Sequence, residues 1–581
     1  MEKRAIYAIL LTFLVIVAWS LIQAKFFPSP TQTQPSEVRK EQAPPQEKVP
    51  EKKTAIKESV VLRGERPSAQ PRVIPPKEIS VETQNYLAVF TSGDARLKHF
   101  RLKKYRDRAE ESPLATKLLQ LVDEVIGKKT EESKKPEPLD LVNIRESKNL
   151  PLGLIFNGAN LPVEENWEVD KDRLRLVEAG EKGEITFSRT LENGLRILKR
   201  LKFTSDQYTI NLEVEVQNNS SKEINGQLGL NWIGEIELTK LAERGDKDYG
   251  LEYAFLRNQK VEKKSFGGAS SSGCVPSCGA QKKTTIDPFE ITERGEIKWF
   301  SFEGEYFAAL FVPPPSKEIT LSVKGSEKDL LNTEISPSRF SVSPREKVNI
   351  EYQVYLGPKD EDLLKALGVG AEKLVDFGFF TIIAKPLLWF IRLTHKVTGN
   401  YGIDIIIISI LIKIIFLPLT QISFKSMKEM QKVQPEMNRL KEQFKNDKAR
   451  LQQEIMLLYK RRKINPMSGC LPMLIQIPVF IALYNALQNG IEMRHAHFFL
   501  WITDLSAKDP IYVTPIIMGA TMFLQQKMTP TAGDPAQAKM FLLMPVMFTF
   551  LFLSFPSGLV LYWLINNVLS IAHQYYLNKK I

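Results

Sequence analysis

Long apolar segments lie at both ends of this 581-residue chain, and a polar middle separates them. The first segment, Ala5–Ala24, has about the 20 residues that a helix needs to cross a bilayer. The last third contains Ile403–Leu419, Leu471–Leu487, Ile511–Leu524 and Met540–Leu577, and Phe555-Pro556-Ser557-Gly558 divides the last of these in two. This pattern predicts an α-helical polytopic membrane protein with six transmembrane helices, five of them after the polar middle.

The N-terminal segment, residues 1–27, predicts an uncleaved membrane anchor. Its apolar core is longer than that of a cleaved signal peptide, and Leu21-Ile22-Gln23-Ala24 is a poor cleavage site. Lys3 and Arg4 precede the core, which favours a cytoplasmic N-terminus. Residues 28–76 are rich in Pro, Gln, Glu and Lys with little apolar material, which is typical of a disordered linker.

Short segments with the period of β-strands fill residues 77–360. Apolar and polar residues alternate along Tyr208–Val216, Ile319–Val323 and Val348–Val354, as they do in half-buried strands. Asn193-Gly194 is a hairpin-turn signal. Many short strands with turn signals predict a β-sandwich, which we expect outside the cytoplasm because the anchor begins inside.

Candidate chemistry is sparse in this domain. His99 is its only histidine and no Ser/His/Asp set accompanies it, so we expect a surface or packing role. Cys274 and Cys278 lie in a Gly/Ser-rich loop, where a small-loop disulfide and two free thiols are equally compatible with the sequence. A zinc site would need two more ligands, and no nearby His or Cys provides them. Cys470 borders an apolar segment and is expected to pack there.

Residues 361–400 predict an amphipathic region at the membrane interface. The stretch Asp376–Lys396 is apolar, but Lys385, Pro386 and Arg392 interrupt it. Trp389 lies among them, and its amphipathic ring suits the boundary between lipid and water. These features favour a helix that lies in the interface over one that spans the hydrocarbon core.

Basic residues concentrate between the second and third predicted spans, in residues 423–463, where they outnumber the acids. The positive-inside rule makes this segment cytoplasmic and agrees with cytoplasmic N- and C-termini. Apolar residues recur near helical spacing on both sides of Asn446-Asp447-Lys448, which predicts a helical hairpin. Two interpretations stay open: a solvated helix pair that orients the chain, or a docking surface for ribosomal RNA or anionic lipid.

Lys413 is a basic residue deep inside the second predicted span. A lysine at mid-bilayer costs ~2.5–3.5 kcal/mol on insertion scales, so it should face a polar cavity. Ser409 and Thr420 share its helix face. Other predicted spans offer polar partners: Gln476, Asn485 and Gln488 in the third span, and Asn566, Ser570, His573 and Gln574 in the last. These residues predict a wet groove with one fixed positive charge, and the alternative is that Lys413 snorkels to the surface.

Three motifs resemble those of one known family. They are Asn400-Tyr401-Gly402-Ile403 with Ile405–Pro418, Asn465–Pro478, and Phe555–Tyr562. They are similar to segments of the YidC family of bacterial membrane-protein insertases. The resemblance implies a β-supersandwich as the outer domain and a five-helix insertase core at residues 401–581. The family's groove carries an arginine where this chain has Lys413. Where the family often has a tyrosine that faces nascent chains, this chain has Trp563 beside Tyr562.

The resemblance also implies a function, namely a membrane protein insertase and chaperone that inserts and folds integral membrane proteins through a hydrophilic groove, alone or with the Sec translocon. It implies the cell inner membrane as location, with the large domain in the periplasm. The expected partners are nascent membrane proteins, the Sec translocon, membrane lipids and, through the hairpin and C-terminus, the ribosome. The residues expected to line the groove are Lys413, Ser409, Thr420, Gln476, Tyr562, Trp563, Asn566 and Ser570.

Several classes of activity are not expected. The chain lacks a Gly-x-x-x-x-Gly-Lys-Ser/Thr loop for nucleotide phosphates. Ser557 and His573 are too far apart on one predicted helix, about 24 Å, to form a catalytic pair. We therefore expect no enzymatic activity, no cofactor, no metal and no specific DNA partner. A channel-like or structural membrane assembly factor is the alternative function.

Overall fold

The computed structural model of the chain describes residues 76–110, 112–126, 135–142, 144, 150–161, 166–235, 252–265, 288–325, 330–462, 471–529 and 535–580. The predicted anchor, nearly all of the predicted linker and the three cysteines lie outside these residues.

The described part of residues 76–358 is built from strands and one helix. In chain order the strands are β1 Glu78–Glu82, β2 Tyr86–Thr91, β3 Arg96–Arg106, β4 Pro138–Asp140, β5 Leu154–Phe156, β6 Ala159–Asn160, β7 Glu168–Val169, β8 Arg173–Arg175, β9 Lys182–Thr190, β10 Leu195–Thr204, β11 Thr209–Asn218, β12 Ile224–Gly226, β13 Leu228–Glu235, β14 Glu252–Arg257, β15 Lys260–Ser265, β16 Phe289–Gly295, β17 Ile297–Glu303, β18 Phe307–Val312, β19 Ile319–Gly325, β20 Leu330–Ser336, β21 Phe340–Val342 and β22 Lys347–Pro358. The segments in which apolar and polar residues alternate lie in or overlap strands β11, β19 and β22.

These strands form sheets that pack face to face. A nine-stranded sheet has the order β15-β14-β17-β18-β22-β11-β10-β9-β7. Phe90, in the five-stranded sheet β4-β3-β2-β1-β8, packs against Phe203 of the large sheet with ring centroids 6.1 Å apart. Trp232, in the six-stranded sheet β16-β19-β20-β13-β5-β6, lies 5.2 Å from Phe311 of the large sheet. One continuous apolar core therefore joins the sheets, and the predicted β-sandwich is confirmed.

The Asn-Gly turn joins β9 to β10 as predicted. The two strands pair antiparallel from Thr190 and Arg196 to Lys182 and Thr204. Gly194 has φ +84°, a left-handed conformation that glycine adopts without steric cost. Strand β10 of this hairpin carries Lys199, the most deeply buried cation in the described part of the domain.

Lys199 occupies an inward position of β10 among Ile197 and Leu201. It is fully buried, and its Nζ donates hydrogen bonds of 2.5 Å to the carbonyl oxygens of Ala95 and Leu152. Burial, aided by the neighbouring Arg96 cation, lowers the pKa of Lys199 from its ordinary 10.5 to about 7. The lysine thereby ties two loops to the large sheet at an electrostatic cost.

One helix lies within the strand-rich part, and the other described helices follow it in the chain. They are α1 Pro113–Ile126, α2 Glu361–Lys365, α3 Thr381–Thr398, α4 Tyr401–Lys432, α5 Gln434–Gln443, α6 Lys448–Arg461, α7 Leu471–Asn489, α8 Val513–Met528, α9 Pro535–Phe552 and α10 Ser557–Lys580, with 3₁₀ turns at Ala371–Leu374 and Ile491–Met493.

Helices α4 and α7–α10 occupy the five apolar segments of the last third. By length and hydropathy alone, α4 is the one helix in the described ranges that qualifies to cross a membrane. It extends past the predicted end at Leu419 to Lys432, because Pro418 is accommodated within the helix. The count of six spans stays a prediction.

The helical part is attached to the sandwich by polar contacts. Arg494 donates through Nη2 to the carbonyl oxygen of Arg106 at 2.8 Å, and its guanidinium lies 5.1 Å from the ring centroid of Phe307. Gln488 donates to Glu305 of the sandwich at 3.1 Å. Asn485 donates instead within the helical part, to the carbonyl oxygen of Phe377 at 2.8 Å. The prediction that Gln488 and Asn485 are partners of Lys413 is therefore wrong, since both face the other way.

Helices α5 and α6 form a helical hairpin, but it begins at Gln434 and not at residue 423 as predicted, because α4 continues to Lys432. Met437 of α5 and Leu458 of α6 are buried against each other together with Val433. Asp447 caps α6 by accepting a hydrogen bond from the backbone N–H of Arg450 at 3.0 Å. The basic side chains of this pair consequently lie outside its small apolar core.

Candidate functional site

Lys413 lies near the middle of α4 and is directed toward α10. Its Nζ donates a 2.6 Å hydrogen bond to Oγ of Ser570, and the side chain is half-buried. The backbone neighbours Ile414 and Ile415 are exposed, whereas Ile412 is buried. The lysine thus points to a polar group on the neighbouring helix at its own level, which disfavours the snorkelling alternative.

The hydroxyl that receives Lys413 is held in place by its own helix. Ser570 donates to the carbonyl oxygen of Asn566 at 2.7 Å, and Asn566 donates to the carbonyl oxygen of Tyr562 at 3.3 Å. Such hydrogen bonds to the preceding turn fix short polar side chains against the helix surface. The Ser570 oxygen is therefore available as an acceptor on the face of α10 that meets α4.

Tyr562 and Gln476 extend this polar surface to α7. The Tyr562 side chain is fully buried, and its hydroxyl lies beside the side chains of Gln476 and Asn566. Within the described ranges, the hydroxyl makes no hydrogen bond of good geometry. Three helices, α4, α7 and α10, thus contribute polar groups to one site, which we call the Lys413 groove: Lys413, Gln476, Tyr562, Asn566 and Ser570.

Three other residues expected in the groove have different surroundings. Ser409 is fully buried, and its hydroxyl donates to the carbonyl oxygen of Ile405 at 2.6 Å. Thr420 donates in the same way to Phe416 at 2.9 Å and lies about 10 Å along the helix from Lys413. Trp563 packs among three aromatic rings of α7 and α9, with its centroid 5.0 Å from Phe480. Trp563 therefore belongs to an apolar cluster beside the polar groups.

The polar row predicted on the last helix divides between two neighbours. Ser570 faces α4, whereas Gln574 donates to Thr529, just after α8, at 3.2 Å. Asn566 is hydrogen-bonded within α10, to the carbonyl oxygen of Tyr562. His573 follows Ser570 by three residues, so helical geometry places it on the Ser570 side. Helical spacing predicted a single row for all four residues. It could not show that this wide face of α10 packs against two neighbours, α4 and α8.

Sequence reasoning missed a second buried polar cluster, at the junction of α3 and α4. Asp404, in the first turn of α4, has no exposed surface and accepts hydrogen bonds from Thr398 at 2.7 Å and from Nδ1 of His395 at 3.0 Å. The His395 ring stacks on Tyr401 with centroids 3.6 Å apart. A histidine nine residues before an acid in an apolar helix was the available signal. The cluster joins the last turn of α3 to the first turn of α4.

No catalytic or metal-binding constellation is evident in the described ranges. His99 pairs with Asp140 at 2.7 Å, and the Ser557 hydroxyl donates to the carbonyl oxygens of Asp504 and Ala507. No group of three or more His, Cys, Asp and Glu side chains there is arranged to hold a metal ion. The Lys413 groove is consequently the candidate functional site of the described residues.

Two family descriptions match consecutive parts of the chain. Residues 127–390 match the YidC periplasmic domain, and residues 393–581 match the 60Kd inner membrane protein family. The second match contains every residue of the Lys413 groove.

Curated relatives match over most or all of the chain. The membrane protein insertase YidC of Syntrophus aciditrophicus is 41% identical over 507 residues, which cover 87% of this chain and 85% of the relative. The one from Geotalea daltonii is 39% identical over 583 residues and covers both chains completely. A solved structure described as an active YidC insertase with its first transmembrane domain resolved is 18% identical, covers 86% of this chain and 92% of its own, and superposes with a TM-score of 0.36. On the strength of the full-length sequence match, the chain belongs to the YidC family of membrane protein insertases.

Proposed function

We propose that this chain inserts and folds integral membrane proteins, and that the hydrophilic tail of a substrate enters the Lys413 groove. The observation that carries the proposal is the hydrogen bond between Lys413 and Ser570, which holds a cation half-buried in the middle of the longest apolar helix. Because placing a charged ammonium group within the membrane costs free energy, Lys413 needs a polar ligand or water beside it.

The helices suit a lipid environment. Large apolar side chains are exposed along α4, α8 and α9, for example Ile415 at 62%, Ile516 at 57% and Phe550 at 70%. An apolar belt of this kind is stable against acyl chains and unstable against water. It supports burial of these helices in the cell inner membrane. The proposal further includes six spans, both termini in the cytoplasm and the sandwich in the periplasm.

The proposed mechanism divides a substrate into two parts. The polar tail is hydrated by the groove while it lies part-way into the membrane, which lowers the desolvation cost of its transfer. The apolar segment moves along the aromatic cluster around Trp563 and Phe480 into lipid. Burial of that segment, at ~25 cal/mol per Å², provides the free energy, so no nucleotide or catalytic group is required. The proposal keeps Ser409 and Thr420 on the Lys413 face of the groove, with their hydroxyls bonded to the carbonyl oxygens of Ile405 and Phe416.

The proposed partners are inferred from the basic charge of the hairpin and from the positions of the hairpin and the sandwich. The hairpin α5–α6 carries basic side chains outside an apolar core, and this arrangement supports contact with the ribosome or anionic lipid. The periplasmic sandwich is proposed as a docking or spacing module, and cooperation with the Sec translocon is part of the proposal. No specific DNA contact and no enzymatic activity are proposed.

Purified chain in liposomes tests this function. A single-span substrate synthesised in the presence of the vesicles should become protease-protected in proportion to the amount of chain. The same vesicles should hold a potassium gradient, because an insertase needs no open pore. Ion flux without protection would support the channel-like alternative, and neither activity would support a structural assembly factor.

A further inference from the structure

His573 lies on the groove side of α10. It follows Ser570 by three residues and Asn566 by seven, so helical geometry places the three side chains on one face. Lys413 of α4 donates to Ser570, so His573 lies one helical turn from the residue that Lys413 contacts. Gln574, the next residue, turns instead toward Thr529.

Both ring nitrogens of His573 are buried and have no hydrogen-bond partner among the described residues. Leaving a buried donor or acceptor unpaired costs ~1–3 kcal/mol. Ser570, Asn566 and Lys413 do not share this state, since they are hydrogen-bonded to one another or to their own helix. The Tyr562 hydroxyl does share it, but it lies farther from the cytoplasmic end of α10 than Ser570. His573 is thus a side chain next to the Lys413 groove with two unused hydrogen-bonding atoms.

The depth of His573 suits contact with an entering tail. It lies about 5 Å farther along α10 than Ser570, toward the end that the proposed topology places in the cytoplasm. A substrate tail that enters from the cytoplasm therefore passes His573 before it reaches Lys413.

A carboxylate has two oxygens and accepts several hydrogen bonds. An ammonium group is a compact point charge, whereas a guanidinium donates to both oxygens at once. Lys413 alone therefore leaves one oxygen of a bound carboxylate to be satisfied by another donor. An imidazole N–H next to it provides that donor.

We propose that His573 is a specificity-determining residue of the Lys413 groove, and that it binds the second oxygen of an acidic side chain in the substrate's tail while Lys413 binds the first. The proposal rests on the insertase function proposed above. The ligand class is a carboxylate carried on the hydrophilic tail of a membrane protein, and selection occurs by hydrogen bonding from two helices.

The test uses the full chain reconstituted in liposomes and two single-span substrates that differ only in Asp or Asn at one tail position. For the wild type, the ratio of Asp-tail to Asn-tail insertion is the reference. His573→Ala should lower this ratio about tenfold, the factor that one hydrogen bond to a charged group supplies at its lower limit. His573→Gln, which keeps an N–H donor, should recover most of it. Gln574→Ala is the matched control on the α8 side and should leave the ratio at the wild-type value.

Two further measurements separate binding from packing. His573→Met keeps the side-chain volume without a donor, so it carries the same test if the alanine variant does not fold. The combination His573→Ala with Lys413→Gln should cost less than the sum of the two single changes, because both residues bind one carboxylate.

An unchanged ratio in His573→Ala and His573→Met, or an equal fall for both substrates, would overturn the role of His573 while leaving the insertase function intact. Failure of the wild-type chain to insert either substrate would instead overturn the proposed function and this proposal with it.

Discussion

Replacement of Lys413 tests the electrostatic part of the mechanism. If its charge attracts acidic tails, Lys413→Ala should impair substrates with negatively charged tails most, and Lys413→Glu should be worse because it replaces attraction with repulsion. Lys413→Arg should be tolerated, since the positive charge is kept and a guanidinium is also able to donate to Ser570.

The structure sets the size of the effect. Opposite unit charges about 4 Å apart interact by ~4 kcal/mol at an effective dielectric constant of ~20 and by ~1 kcal/mol in water. Lys413 is half-buried at the level of Ser570, so an intermediate loss of about 2 kcal/mol is expected for Lys413→Ala. This corresponds to about a thirtyfold fall in the insertion rate of an acidic-tailed substrate.

The assay compares initial rates of protease protection for matched acidic and neutral tails at several salt concentrations. Screening should reduce the acidic-tail advantage of the wild type only weakly, because the charge is partly buried. The decisive variant is Lys413→Gln, which is polar but uncharged. Full activity of this variant on acidic tails would refute the electrostatic reasoning and leave hydration of the groove as the sole role of residue 413.

Three further predictions concern the regions outside the groove. Deletion of part of residues 77–358 should leave insertion in liposomes largely intact, and complete loss of insertion in a stably expressed deletion would refute the spacing role. Removal of residues 423–463 should abolish insertion without unfolding the remaining helices, as judged by circular dichroism; normal insertion would make the hairpin an orienting loop only. Because burial lowers the pKa of Lys199 to about 7, the unfolded chain binds more protons than the folded domain between pH ~7 and ~10.5, and the domain's stability should rise with pH by at most ~1.4 kcal/mol per unit. Lys199→Met should remove this slope in urea titrations of the full chain followed by tryptophan fluorescence, and an unchanged slope would show that Lys199 is not its source.

Local patterns were sufficient to predict most elements. Alternation predicted strands such as β11 and β22, since a strand that buries one face must repeat with period two. Asn193-Gly194 predicted its hairpin because the turn's backbone conformation favours these residue types. Long apolar runs located the helices of the last third, since a helix that is apolar on all sides is typical of a buried or membrane-spanning segment.

Long-range contacts account for what local patterns missed. Lys199 occupies an inward position of an otherwise apolar face, and its partners Ala95 and Leu152 are distant in sequence. Gln488 likewise donates to a residue that is distant in sequence, Glu305 of the sandwich. Helical spacing identifies which residues share a face, but the neighbour that this face meets is set by tertiary packing.

The groove was predictable in part. An isolated lysine in an apolar segment is costly enough to require a polar partner, and Ser570 provides it. The roles of Ser409, with its hydroxyl bonded to Ile405, and of Trp563, within an aromatic cluster, depended on packing that spacing does not encode.

Site-specific crosslinking tests the central claim most directly. A photoreactive residue at position 570 faces the Lys413 groove, and one at position 568 lies on nearly the opposite side of α10 at almost the same depth, where Val568 is 45% exposed. With ribosome-bound nascent chains of a single-span substrate, position 570 should crosslink to the hydrophilic tail, and position 568 should give mainly lipid adducts. Equal crosslinking of the tail at both positions, or none at position 570 while insertion proceeds, would contradict passage through the groove.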